Sequence, residues 1–148
     1  MTEVRIATVD DAQKIFLAIL DVREETNYVH FNFLPEKAFK SVVAWIQKPN
    51  SVMFVAEKDS EVAGILAGGI FNHWLTDDAC ASEEVFFVRK KYRSQGIAAL
   101  LLDAFMKWAE SKCKHIFAGV TTGCGKAAEH LYLKHGMSCM GGNFIKHV

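Results

Sequence analysis

A chain of 148 residues with 51% hydrophobic content is long enough to bury one substantial core and short for two, so the expectation is a single domain over residues 1–148. Its 17 basic and 17 acidic side chains cancel, which removes the overall field that a polyanion-binding protein needs and argues against a nucleic-acid partner. The longest apolar runs, Ile97 to Leu102 and Val62 to Phe71, are too short or too broken by glycine to cross a bilayer.

In chain order, Val4 to Thr8 alternates like a short strand, and Thr8 or Asp10 caps a helix carrying Ala12, Ile15, Phe16, Ile19 and Leu20 at helical spacing. After the aromatic connection Tyr28 to Phe33, Pro35 fits the first turn of a second helix with Phe39, Val42, Val43 and Ile46 on one face, ended by Pro49-Asn50. Ser51 to Glu57 and Val62 to Phe71 read as a hairpin around the polar turn Lys58-Asp59-Ser60-Glu61. Cys80 to Val88 returns as a strand whose end, Val85-Phe86-Phe87-Val88, is apolar on both faces, as a mid-sheet strand would be.

From Gly96 the pattern turns helical through Ile97, Leu101, Ala104, Phe105 and Trp108, running out near Lys112. His115 to Thr121 reads as the next strand, and Lys126 to His135 as a last helix stopped by Gly136 in a left-handed C-cap. Ser138 to Met140 and Asn143 to His147 read as two closing strands. The order is β-α-α-β-β-β-α-β-α-β-β, an α+β layer architecture with about seven strands and four helices.

The chemistry concentrates where the strand ending at Val88 meets the basic turn Arg89-Lys90-Lys91-Tyr92-Arg93 and then Ser94-Gln95-Gly96, which opens a long helix. A helix N-terminus offers unpaired N–H groups and a positive dipole end, and glycine lets a ligand approach the backbone, so the turn suits a pyrophosphate. The four cations Arg89, Lys90, Lys91 and Arg93 are positioned to meet a further phosphate, or else form a solvated turn.

Phe86-Phe87-Val88-x-x-x-Tyr92-Arg93-x-x-Gly96-Ile97-Ala98-x-x-Leu101-Leu102 resembles the acetyl-coenzyme A signature of the GNAT superfamily. Val4 to Asp11, the hairpin, and Ala128-x-x-Leu131-Tyr132-x-Lys134-x-Gly136 resemble the same family in the right order. Lys90, Ser94, Gly125 and Met137 depart from it, standing where proline, glycine, asparagine and phenylalanine are common.

The resemblance implies a GNAT-like, mostly antiparallel mixed sheet and an N-acetyltransferase that moves an acetyl group from acetyl-CoA to a primary amine by direct attack on the thioester. It implies that the backbone of Phe86, Phe87 and Val88 pairs with the pantetheine arm. The N–H groups of Arg93, Ser94, Gln95, Gly96, Ile97 and Ala98 then hold the pyrophosphate. A non-catalytic acetyl-CoA-binding module with the same fold is the alternative, because a fold and a cofactor site do not by themselves establish turnover. The acceptor is a small-molecule or peptide amine, and since family members are often dimers the resemblance allows a homodimer.

For proton transfer, Tyr132 stands where the family often keeps a tyrosine near the thioester sulfur, and a phenol stays protonated at neutral pH; the bland reading is a core tyrosine. Glu84 shares a strand face with Ser82, Phe86 and Val88 by simple alternation and is the candidate base, with Glu83 pointing to the opposite face. His73 is a second candidate base. Tyr28, Phe31, His73 and Trp74 are the candidate acceptor-binding residues, or aromatics that pack beneath the helical pair. Asp77 and Asp78 attract a cationic amine or solvate a loop.

Gly119-Val120-Thr121-Thr122-Gly123-Cys124-Gly125-Lys126 is superficially a phosphate-binding loop, but Val120 and Ala127 stand where glycine and a metal-binding hydroxyl are required. Cys80, Cys113, Cys124 and Cys139 lack the spacings of a zinc or redox motif, and no secretory leader is seen, so four reduced thiols in a cytoplasmic protein are expected. His130 and His135 are five residues apart and lean to different sides of a helix, so no metal is expected.

Overall fold

The computed structural model describes residues 1–120 and 125–148. Its strands are β1 (Glu3–Ile6), β2 (Ser51–Lys58), β3 (Glu61–Asn72), β4 (Ala79–Val88) and β5 (His115–Phe117). Its α-helices are α1 (Ala12–Glu25), α2 (Pro35–Gln47), α3 (Ile97–Glu110) and α4 (Gly125–Lys134). The strands form one sheet in sequence order, antiparallel from β1 to β4 and parallel between β4 and β5. None of the helices is long and apolar enough to cross a membrane, among the described residues.

Alternation in the sheet divides the core. Val52, Phe54, Ala56 and Leu66 pack with Ile97, Leu101, Leu102 and Phe105 of α3 and with Tyr132 of α4. Met53, Val55, Ile65 and Ala67 pack on the other face with Ile15, Ala18 and Val22 of α1 and Val42 of α2. Both faces of β2 and β3 are therefore covered, which is why these strands read as continuous apolar runs. Burying a side chain of the size of Phe105 stabilises the fold by about 1.5–3 kcal/mol, and Phe105 is fully buried.

Local signals account for the boundaries. Asp59 and Ser60 both have positive φ, at 51° and 63°, as a two-residue hairpin turn matched to strand twist requires. Pro35 occupies the first turn of α2, where its missing N–H has no intrahelical acceptor to lose. Beyond α4, Gly136 has φ 78° and donates its N–H to Leu133 O at 3.1 Å, as the C-cap reading anticipates. Arg5 of β1 grips Asp11 through two bonds of 2.7 and 2.8 Å and reaches Glu57 of β2 at 2.8 Å, tying the start of α1 to the sheet edge.

The expectation of about seven strands is not met. Ser138 to Met140 and Asn143 to His147 alternate in sequence, but residues 137–148 form no strand, and Met140, Phe144 and Val148 are exposed. Strand alternation becomes a strand only with a hydrogen-bonding neighbour. β5 is likewise shorter than the segment His115 to Thr121 read for it; Thr121 and the centre of the Gly-rich stretch, residues 121–124, lie outside the described residues. Cys80, Cys113 and Cys139 are free thiols, while Cys124 falls in that outside segment.

Candidate active site

β4 and β5 pair only over Cys80–Ser82 and His115–Phe117. From Glu83 to Val88, β4 keeps its β3 partner on one side, and its other edge opens into a cavity of about 480 Å³. That cavity is lined by β4 from Glu83 to Val88, by the start of α3, by Gly119 and Val120 after β5, and by Leu131 and Tyr132 of α4. Backbone groups along an unpaired strand edge are ready to bond an extended ligand.

At the end of β4 the turn is built for donors. Gly96 is the N-cap of α3 in the left-handed conformation (φ 77°, ψ 0°), with no side-chain cap. The first helical bond outside the regular ladder runs from Leu100 N–H to Gly96 O at 3.2 Å, so the N–H groups of Ile97, Ala98 and Ala99 precede any intrahelical acceptor. A Cβ added at Gly96 would meet nothing within 4 Å, so a ligand can approach the backbone here. Ser94 also takes positive φ, 62°, filling with a strained L-residue a position that favours glycine.

One of the expected pyrophosphate donors is already engaged: Arg93 N–H is bonded to Lys90 O at 3.3 Å. The Gln95 side chain contacts the Lys58 ammonium and donates to Lys91 O at 3.3 Å, contacts that do not involve its backbone N–H. Ser94, Gly96, Ile97 and Ala98 line the cavity with Phe86, Phe87, Val88 and Arg93.

The basic turn is also less free than its composition suggests. Arg89 bonds Asp21 at 2.6 Å and Glu61 at 3.2 Å, Lys91 meets Glu61 at 2.5 Å, and Arg93 pairs with Glu25 of α1 while donating to Val88 O at 2.9 Å. Lys90 is exposed and, among the described residues, is the one cation of the four without a carboxylate partner.

The strand alternation that selected Glu84 fails at a β-bulge. Ala67 faces Val85 and Gly68 faces Glu83, so Glu84 is the extra residue and the parity of β4 inverts across it. Glu83 therefore shares the α3 and α4 face with Phe86 and Val88, while Glu84 is exposed on the cavity rim. The consecutive glycines Gly68-Gly69 in the facing strand were the available sequence signal, since glycine inside a strand often marks a bulge.

Glu83 is 9% exposed and Tyr132 8%. The Tyr132 hydroxyl donates to Glu83 Oε2 at 2.9 Å and lies 3.2 Å from Gly119 O, its second acceptor. The Gly119 N–H reaches the same Oε2 at 3.5 Å. Burial pushes the Glu83 carboxyl up to about 7, against the opposing hydrogen bonds from Tyr132 and Gly119 and with help from the nearby Glu84 charge. Burial, and then the Glu83 charge, push the Tyr132 phenol well above its ordinary range. Phe86 packs against Tyr132 with ring centroids 6.3 Å apart.

Of the expected acceptor residues, Tyr28 lines the cavity. Phe31 packs edge-on against Tyr28 at 5.8 Å and touches His147 of the C-terminal segment at 6.0 Å. His73 stacks on Trp74 and accepts the Leu75 N–H at 3.2 Å at the far end of the β3–β4 hairpin, and Trp74 is 85% exposed. These two stand outside the cavity lining, because the β3–β4 loop joins β4 at Ala79, beside the β5-paired stretch and at the opposite end from the splayed part. Asp78 is held by Lys114 at 3.0 Å and His115 at 3.2 Å.

The sequence model of the acetyltransferase (GNAT) family matches residues 16–137. The chain belongs to the GNAT acetyltransferase family. Among solved structures, a transcriptional regulator from Bacillus halodurans C-125 superposes with TM-score 0.81 at 18% identity, covering 100% of both chains. A ribosomal-protein-alanine N-acetyltransferase from Brucella melitensis biovar Abortus 2308 gives 0.75 at 12% identity, covering 100% of this chain and 99% of that one. An aminoglycoside antibiotic 6'-N-acetyltransferase from Acinetobacter baumannii gives 0.74 at 14% identity, with the same coverage. These likenesses show the GNAT fold shared over the whole chain. No curated protein sequence matches the chain.

Proposed function

We propose that this GNAT protein is an acetyl-CoA-dependent N-acetyltransferase that moves an acetyl group onto a primary amine by direct attack. One observation carries the reading: unpaired amides at the start of α3, the open edge of β4 and the Tyr132–Glu83 pair all face one cavity. The donor set fits the acyl donor. Amides of Ile97, Ala98 and Ala99, with those of Ser94 and Gly96, would hold its diphosphate, and the Phe86–Val88 edge would pair with the amides of its arm.

Acetyl-CoA supplies an activated thioester carbonyl. Tyr132, buried and protonated, would give its proton to the departing sulfur. Glu83, rather than Glu84, would accept the proton released by the amine, since the bulge turns Glu83 into the cavity beside Tyr132. Exposed Glu84 on the rim would attract a cationic acceptor, and Tyr28 with Phe31 would wall its approach. Acetyltransferases of the same fold that act on an aminoglycoside and on a ribosomal protein support an amine acceptor, small or peptidic.

Calorimetry with acetyl-CoA, followed by thiol release against a panel of amines, tests the proposal. Binding is expected, with turnover on at least one amine, and Tyr132→Phe is expected to cut turnover while keeping affinity. Absence of binding by folded protein would refute the site; binding without turnover across the panel would favour a non-catalytic acetyl-CoA-binding module.

A further inference from the structure

Resting on the acetyltransferase reading, we propose that Glu83 and Tyr132 form a closed proton relay, carrying the acceptor amine's proton to the departing thiol without passing through bulk water. The geometry is a direct bond of 2.9 Å between two buried groups on different elements, β4 and α4. Among the described residues both contacts to Glu83 fall on Oε2, which leaves Oε1 as the atom to meet an incoming proton. The phenol has a second acceptor, Gly119 O at 3.2 Å. Its single proton can therefore leave the carboxylate without leaving the site.

The protons balance. As the amine nitrogen bonds to the acyl carbon and the carbon–sulfur bond breaks, the N–H proton passes to Glu83, and the Tyr132 proton passes to the sulfur. The Glu83 proton then moves along the existing hydrogen bond to the phenolate oxygen, restoring both groups. The net change is one proton from nitrogen to sulfur, and the protein ends as it began. A carboxyl lifted toward neutrality by burial is matched to taking up and giving back a proton at physiological pH. Among the described residues, the groups facing Glu83 are Tyr132 from α4, Glu84 from its own strand and the Gly119 amide after β5.

Two measurements test the relay. In ligand-free protein, infrared titration follows the carboxylic acid band that Glu83→Gln removes. Its midpoint is expected to rise by about one unit or more in Tyr132→Phe, because the carboxylate loses a hydrogen-bond donor. An unchanged midpoint overturns the relay. With acetyl-CoA and an accepted amine, the rate in H2O and D2O mixtures is expected to bow for the wild type, as two protons move together, and to become linear in Tyr132→Phe. Identical profiles overturn it too. If acetyl-CoA fails to bind at all, the acetyltransferase reading fails and the relay with it. If binding and thiol release persist while the titration midpoint stays fixed, the relay alone fails.

Discussion

Replacing Gly96 with alanine adds one methyl group at a position where two effects separate cleanly. The φ of 77° puts an L-residue in the left-handed region, which costs about 1–2 kcal/mol. No steric cost adds to it, because the new Cβ meets nothing within 4 Å. The variant should therefore fold, with a midpoint lowered by about 3–6 °C for a chain of this size. Acetyl-CoA affinity should fall by at least about tenfold, since about 1.4 kcal/mol suffices for that factor and the methyl enters the space from which a diphosphate reaches the α3 amides. Thermal unfolding and calorimetric titration read the two effects separately. Gly69→Ala is the control: its added Cβ lies at ordinary distance from Asn50 O, 3.5 Å, so binding should not change. If Gly96→Ala folds as expected and binds acetyl-CoA like the wild type, the diphosphate does not sit on these amides.

Ser94→Gly should raise stability by about 0.5–1 kcal/mol in chemical denaturation, because relief of the left-handed conformation exceeds the entropic cost of glycine. Gly68→Ala should cost at least about 2–3 kcal/mol, since its Cβ would lie 2.5 Å from Phe105 Cε2 and 2.6 Å from Ser82 O; adding Phe105→Leu should rescue only part, because the Ser82 carbonyl cannot retreat. Asp11 is held down to about 2, first by its hydrogen bonds from Arg5, so it contributes stability above its ordinary value near 3.8 that is lost as pH falls toward 2; denaturation curves should show Asp11→Asn removing about 1–2 kcal/mol of that dependence after screening. Glu83 acts with the opposite sign. Raised from 4.5 to about 7, it makes the fold less stable as pH rises through that window, and Glu83→Gln should flatten a slope totalling about 3 kcal/mol.

Much of this architecture is legible because local chemistry and tertiary demand agree. Pro35, Gly136 and the Asp59-Ser60 turn sit where their backbone preferences place them, and the Gly96 turn was visible as strand, glycine and helix. The C-terminal segment misled because alternation in residues 138–147 carries no information about whether a hydrogen-bonding neighbour exists. The basic turn misled because Asp21, Glu25 and Glu61, which engage three of its cations, are distant in sequence. Glu84 was chosen over Glu83 because a period of two assumes uninterrupted pairing, and only the Gly68-Gly69 step hinted otherwise.

The bulge makes the site depend on the phase of strand pairing as well as on residue identity. Deleting Glu84 would join Glu83, opposite Gly68, directly to Val85, opposite Ala67, in an unbroken ladder, so Glu83, Phe86 and Val88 would keep their common face. Phe86 and Glu83 would still flank Tyr132 together, with only the rim carboxylate gone. The spacer thus stands outside the ladder between the stretch of β4 that anchors β5 and the stretch that faces the splayed mouth, and a single-codon loss there would remove a rim charge while sparing the phenol–carboxylate contact.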